Sequence, residues 1–311
     1  MVSGKSILVT GSHRSGTTWV GKMIAASPSV GYIQEPFFPG RRPGICGVIF
    51  PYPFAYVTDD NEEAFYRHME AMLAFRFRLG AALAALKTPR DAAIMLKYGT
   101  QFCCSRARRA IPLVKDPLAV FSAEWLARRF DMRVIVMIRH PAAFACSIRR
   151  ANWRHDFSSF LQQPLLLRDH LSPYEEEIRA FVKEERDILY QAAFLWKLIY
   201  SVAHKYRQAH PEWIFLRYED MASDPLGQFA SVFQKLDLDF SPHVQRIIKD
   251  YSNPANPSMP RRGSVRFGKR NSKALVQHWK TELTGAEILR LRRGVGDIAD
   301  GFYLDSDWHA R

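Results

Sequence analysis

Ile7-Leu8-Val9-Thr10-Gly11-Ser12-His13-Arg14-Ser15-Gly16-Thr17-Thr18-Trp19-Val20 joins an apolar, β-branched run to a glycine-bounded loop and then to the start of a helical pattern. A strand, a tight loop and a helix in that order make a phosphate cradle. The loop N–H groups converge on an anion, and the helix aims the positive end of its dipole at the same place. In the nucleoside triphosphate version of this loop, G-x-x-x-x-G-K-[ST], a Lys after the second Gly reaches the β- and γ-phosphates and a Ser or Thr hydroxyl holds Mg²⁺. Gly11 and Gly16 keep the spacing, but Thr17 stands where that Lys belongs. Arg14, inside the loop, supplies a guanidinium fork that takes phosphate or sulfate oxygens in pairs. The loop therefore reads as an anion site and points away from ATP hydrolysis.

A second segment has the same logic. Val134-Ile135-Val136-Met137-Ile138 is an apolar run of strand length ending in Arg139-His140-Pro141. Pro141 suits the first turn of a helix, where a missing N–H costs little. That places Arg139 at a strand's carboxyl end and Ser147 two turns into the following helix. Arg14-Ser15-Gly16-Thr17-Thr18-Trp19 resembles the 5′-phosphosulfate loop of the sulfotransferases that use 3′-phosphoadenosine 5′-phosphosulfate (PAPS), and Arg139 with Ser147 resembles that family's 3′-phosphate site. The resemblance implies that Arg14, Ser15, Gly16, Thr17, Thr18 and Trp19 hold the phosphosulfate and that Arg139 and Ser147 grip the 3′-phosphate.

Further segments are similar to the same family: Val114-Lys115-Asp116-Pro117 before a helical stretch, Tyr218-Glu219-Asp220 through Asp224-Pro225 after a late strand, and Trp279-Lys280 with Leu283 near the end. Residues 252–273 carry two Asn-Pro steps and few apolar side chains, which predicts a mobile basic loop. The resemblance lays part of that loop over the donor, with Arg266, Lys269 and Arg270 as contacts.

Sulfuryl transfer needs a held donor, a deprotonated acceptor hydroxyl and neutralised charge on the departing oxygen. Arg14 and the N–H groups near Gly16 serve the leaving side, and Lys115 is a second cation for the sulfuryl group. The general base is Glu35, which follows the predicted strand Val30–Ile33 and opens a Glu-Pro loop similar to the family's. His13, within the cradle, is its rival. A structural carboxylate pairing with Arg14 or Arg139 is the plain alternative for Glu35. No divalent metal is required, and the acidic run Glu175-Glu176-Glu177 reads as the first turn of a helix rather than a metal site.

At 311 residues and 47% hydrophobic, the chain is long enough for one self-sufficient α/β domain over 1–311, with a donor core at about 6–56 and 111–225. The expected fold is a P-loop-like, doubly wound parallel sheet flanked by helices, with helical insertions. Asn61 to Leu86 and Ser172 to Gln208 both read as long helical stretches. Cys46, Cys103, Cys104 and Cys146 show neither metal spacing nor a disulfide framework, which predicts reduced core thiols. The first strand begins almost at once, and no apolar run approaches the about 18 residues of a membrane span. A cytoplasmic protein is expected, or else the catalytic portion of a secretory-pathway enzyme.

The net charge of +13 attracts anions. PAPS accounts for part of it, and the remainder suits an anionic glycan or plain solvated surface. Phe37, Phe38, Phe50, Tyr52, Phe54 and Tyr56 form an aromatic loop fit for a sugar, a phenol or a lipid-linked natural product. Two other classes compete. A P-loop small-molecule kinase needs the Lys that Thr17 replaces and a Mg²⁺ carboxylate. A nucleic-acid-binding protein would use the charge but leave the cradle idle.

Overall fold

Parallel strands covered on both faces must be apolar at odd and even positions alike, and the five strands of this protein obey that rule. The computed structural model describes residues 4–40, 44–258 and 268–308. Strands β1 (Ile7–Gly11), β2 (Val30–Gln34), β3 (Ile111–Lys115), β4 (Arg133–Ile138) and β5 (Ile214–Arg217) form one sheet in the order β2-β3-β1-β4-β5. Every pairing is parallel.

Alternation along each strand divides the interior into two cores. Leu8, Ile33, Val114, Val134, Val136 and Ile138 face one side, where the helices Ala123–Phe130, Pro141–Ala151, Ile188–Ala209 and Gly285–Asp300 pack. Ile7, Val9, Leu113, Ile135 and Met137 face the other, under the helices Thr17–Ile24, Tyr218–Ser223, Pro225–Lys235 and Pro242–Ser252. The doubly wound α/β fold expected from the sequence is the one present. Its strand order reverses about β1, so the chain leaves the sheet on both sides of the cradle, and ligands bind at such a crevice beyond the strands' carboxyl ends.

Two long helical stretches are broken. Asn61 to Leu86 divides into Tyr66–Leu73 and Leu79–Ala84. Between them Phe75 turns to a left-handed φ of 51° and buries its ring under Gly31, where a Cβ would lie 2.4 Å from it. Seating that ring outweighs continuing the helix. Ser172 to Gln208 splits into a short turn, the helix Glu175–Lys183 and the helix Ile188–Ala209, because Asp187 caps the second by accepting from Leu189 N at 2.9 Å. The cysteine expectation also needs correcting. Cys146 is buried and Cys46 partly so, but Cys103 and Cys104 are exposed on the outer side of the helix Pro89–Ala107.

Candidate active site

Strand order puts four charged groups at neighbouring carboxyl ends: Arg14 after β1, Glu35 after β2, Lys115 ending β3 and Arg139 after β4. Arg14, Glu35 and Arg139 line a cleft of about 910 Å³, and Lys115 lies buried behind Glu35.

The cradle is built by close approach. Gly11, at φ 136°, lies so near β4 that a Cβ would stand 2.3 Å from Met137 O, and Gly16, at φ 101°, would set one 2.7 Å from the Tyr218 ring. Arg14 also adopts a left-handed conformation, at φ 64°, which turns its side chain across the loop. Ser15 Oγ donates to Ser12 O at 2.6 Å, so this hydroxyl locks the loop from within and does not line the cleft. Gly16, Thr17, Thr18 and Trp19 do line it.

Beneath the loop, the helix Ile188–Ala209 acts as a prop. Tyr200 O–H donates to Met137 O at 2.9 Å, and because a hydroxyl has one hydrogen, Ser12 Oγ must donate to Tyr200 at 3.0 Å. One turn earlier Trp196 Nε1 donates to Arg139 O at 2.9 Å. Tyr200 and Trp196 carry no motif.

The two arginine motifs meet. Arg14 Nε donates to Ser147 Oγ at 2.8 Å, and Arg139 Nη1 donates to Arg14 O at 2.6 Å. The Arg139 guanidinium also covers the Tyr218 ring, 4.9 Å from its centroid. Burial, then the charges of Arg139, Arg150 and Arg270, lower Arg14 to about 10. Cations crowded and partly buried together are costly without an anion among them. Arg139 Nε, Trp19 Nε1 and Ser272 Oγ, all on residues of the cleft wall, are buried donors without partners among the described residues.

On the β2 and β3 side, Lys115 is fully buried and its ammonium pairs with Glu35 Oε1. The alternative that paired Glu35 with Arg14 or Arg139 is replaced by this one. Glu35 stands at φ 49° with its N–H donating to Lys115 O at 2.8 Å, so its carboxylate is aimed by its own backbone. Asp116 accepts from Phe37 N at 2.6 Å and Leu118 N at 2.9 Å, tying the loop after Glu35 to the next strand. Burial outweighs those two bonds and raises Asp116 to about 7. Lys22 and Lys97 line the same side, and burial, then Lys97 and Lys115, lower Lys22.

His13 lines the cleft with its ring against Phe54, Phe144 and Trp153. Burial, then His155 and Arg14, lower it to about 3, so it is neutral and a weak base. His140 is buried, stacked on Trp279 at 4.7 Å and lowered to about 3, first by burial and then by Arg217. Its backbone N–H donates to Glu219 Oε1 at 3.0 Å, and Tyr303 O–H donates to Glu219 Oε2 at 2.9 Å. Glu219 thus braces the turn after β4.

The basic loop divides. Arg270 lines the cleft, whereas Lys269 pairs with Asp250 at 2.6 Å and does not, and Arg266 lies outside the described residues. Half of the aromatic loop is core: Phe37, Phe50 and Phe54 are buried, and of the six aromatics only Phe38 lines the cleft. Arg150, Trp153, Ser272 and His278 also line the wall. Trp153 and Lys97 gave no signal in sequence, since each reaches the cleft from a segment without a motif.

A model described as the sulfotransferase family matches residues 6–242. The chain belongs to the sulfotransferase family. This sulfotransferase is 22% identical over 195 residues to mouse carbohydrate sulfotransferase 4, a match that takes in 61% of the chain and 43% of that relative, so the chain spans less than half of the relative's length. Among solved structures it is similar to the sulfotransferase domain from the curacin biosynthetic pathway, at 16% identity and a TM-score of 0.48 over 94% of this chain and 98% of that one. A sulfotransferase domain from the Synechococcus PCC 7002 olefin synthase gives 17% identity and a TM-score of 0.49, covering 97% of each chain. Among the described residues no group of acidic, His or Cys side chains is arranged to hold a metal, and no helix is long and apolar enough to cross a membrane.

Proposed function

We propose that this sulfotransferase moves a sulfuryl group from PAPS to a hydroxyl of a carbohydrate or natural product, with Glu35 as general base. The observation that carries the reading is the meeting of Arg14, Ser147 and Arg139 above a cradle in which Thr17 replaces the nucleotide-phosphate Lys. Such a site favours a ligand with one phosphate on each side of a ribose over a triphosphate chain with Mg²⁺. The Arg139 and Ser147 side of the cleft would take the 3′-phosphate, with Arg270 and Arg150 near it. The loop N–H groups and Arg14 would take the 5′-phosphate as negative charge develops there.

The acceptor would enter from the β2 and β3 side, past Phe38, Lys22 and Lys97. Its oxygen bonds to sulfur while the sulfur–oxygen bond to the 5′-phosphate breaks. Its proton passes to Glu35, and the products are the sulfate ester and 3′-phosphoadenosine 5′-phosphate (PAP). Lys115 holds the Glu35 carboxylate in place before the transfer. Mouse carbohydrate sulfotransferase 4 supports a sugar acceptor by its name. The half-exposed rings of Phe38 and Trp153 at the cleft wall support a flat or sugar-like acceptor on the same footing.

Calorimetric titration with PAP, adenosine 5′-phosphosulfate and ATP·Mg²⁺ tests the donor. PAP binds tightest, and Arg139→Ala weakens it by about tenfold or more, as loss of a charge-assisted phosphate contact requires. Equal binding of ATP·Mg²⁺ and PAP would sink the proposal in favour of a kinase.

A further inference from the structure

We propose that the helical hairpin formed by Leu79–Ala84 and Pro89–Ala107 docks this protein on an anionic bilayer surface. The donor site leaves much of the net charge unexplained, and the surplus is concentrated here. Between Arg76 and Arg109 the chain carries eight Lys and Arg side chains against the single acid Asp91. Asp91 is spent on the capping box with Thr88 that starts the second helix. All eight cations are exposed, and none of them pairs with a carboxylate among the described residues. Elsewhere a good part of the surface charge is neutralised by pairing: Arg128, Arg129, Arg149, Arg168, Arg179 and Arg186 each meet an Asp or Glu.

The same hairpin leaves leucines in water. Leu79 and Leu83, one turn apart on the first helix, are 55% and 50% exposed, and Leu96 on the second is 69% exposed. Only Phe102 and Ser105 of the 19-residue helix Pro89–Ala107 are buried. Exposed leucines set among unpaired cations match an interface of acyl chains beneath anionic headgroups. A second copy of the chain would bring the same basic face against itself, and a nucleic acid would have no use for the leucines. Lys97 of the second helix lines the cleft, so docking brings the cleft entrance to the membrane.

This inference rests on the surface and stands or falls apart from the donor reading. Sedimentation with vesicles of phosphatidylcholine alone, and with vesicles in which about a third of the lipid is phosphatidylglycerol, tests it at physiological ionic strength. The protein sediments with the anionic vesicles and stays in solution with the neutral ones. The exposed-site variant Leu79→Ser/Leu83→Ser/Leu96→Ser keeps its circular dichroism spectrum and melting temperature but binds anionic vesicles about tenfold more weakly. Failure of the wild type to bind anionic vesicles overturns the proposal, as does full binding by the serine variant, which would reduce the effect to charge alone. Light scattering that finds a wild-type dimer dissolved by the serine changes would assign the face to a second copy instead.

Discussion

Glu35 and Lys115 form the pair on which the proposed chemistry turns, and they differ in how they are held. Lys115 is sealed behind β3 with no exposed surface, whereas Glu35 keeps about a quarter of its side chain open to the cleft. A buried ammonium with one carboxylate partner fixes that partner's position, because separating the two would strand a charge. Replacing Glu35 by Gln keeps the shape and removes the proton acceptor. Turnover should fall by about 10²–10⁴ while PAP affinity stays within about twofold, as read by sulfate-ester formation beside calorimetry. Unchanged turnover would pass the role to another group. His13 is lowered to about 3, first by burial, and is neutral.

Among the elements, the cradle depends on backbone that side chains cannot imitate. Gly16 is both the helix cap and a left-handed residue pressed on Tyr218. The Gly16→Ala variant should therefore fold but lose PAP binding by about tenfold or more, since its Cβ collides with a ring that also carries Arg139. Retained affinity would show that the loop is not the donor site. The prop beneath the cradle makes a different prediction. Tyr200→Phe leaves Met137 O without this donor and Ser12 Oγ without its acceptor, and should lower unfolding stability by about 1–3 kcal/mol in a denaturant titration. It should also weaken PAP binding, because both lost bonds anchor the two strand ends that carry Arg14 and Arg139.

Across the whole molecule, buried imidazoles set the response to acid. His155 sits among Phe54, Phe157 and Phe160, and burial lowers it to about 4 from 6.5. The unfolded chain therefore takes up the proton first as pH falls. Its stabilising contribution is complete above 6.5 and is lost as pH falls toward about 4. His155→Phe has no such loss. Its melting temperature, relative to wild type, should rise by about 2 °C or more per pH unit on acidification through that window. A constant difference between the two proteins would mean that His155 is open to water.

The parallel sheet and the anion cradle follow from local pattern alone, whereas Arg139 and Ser147 are singled out by the resemblance. Two-faced burial demands unbroken apolar strands, and a glycine-bounded loop before a helix makes an anion site wherever it occurs. No local pattern shows which distant groups share a wall. Lys115 meets Glu35 because strand order sets β3 beside β2, and Phe37, Phe50 and Phe54 went into the core because Asp116 draws their loop inward. Phe75 broke a helix to fill the space under Gly31, which depends on a strand some forty residues earlier. The anion cradle is a short-range construction written in consecutive residues; the cleft wall on the β2 and β3 side, the prop from Trp196 and Tyr200 and the unpaired basic hairpin arise from long-range packing, which decides burial and pairing only once the sheet has closed.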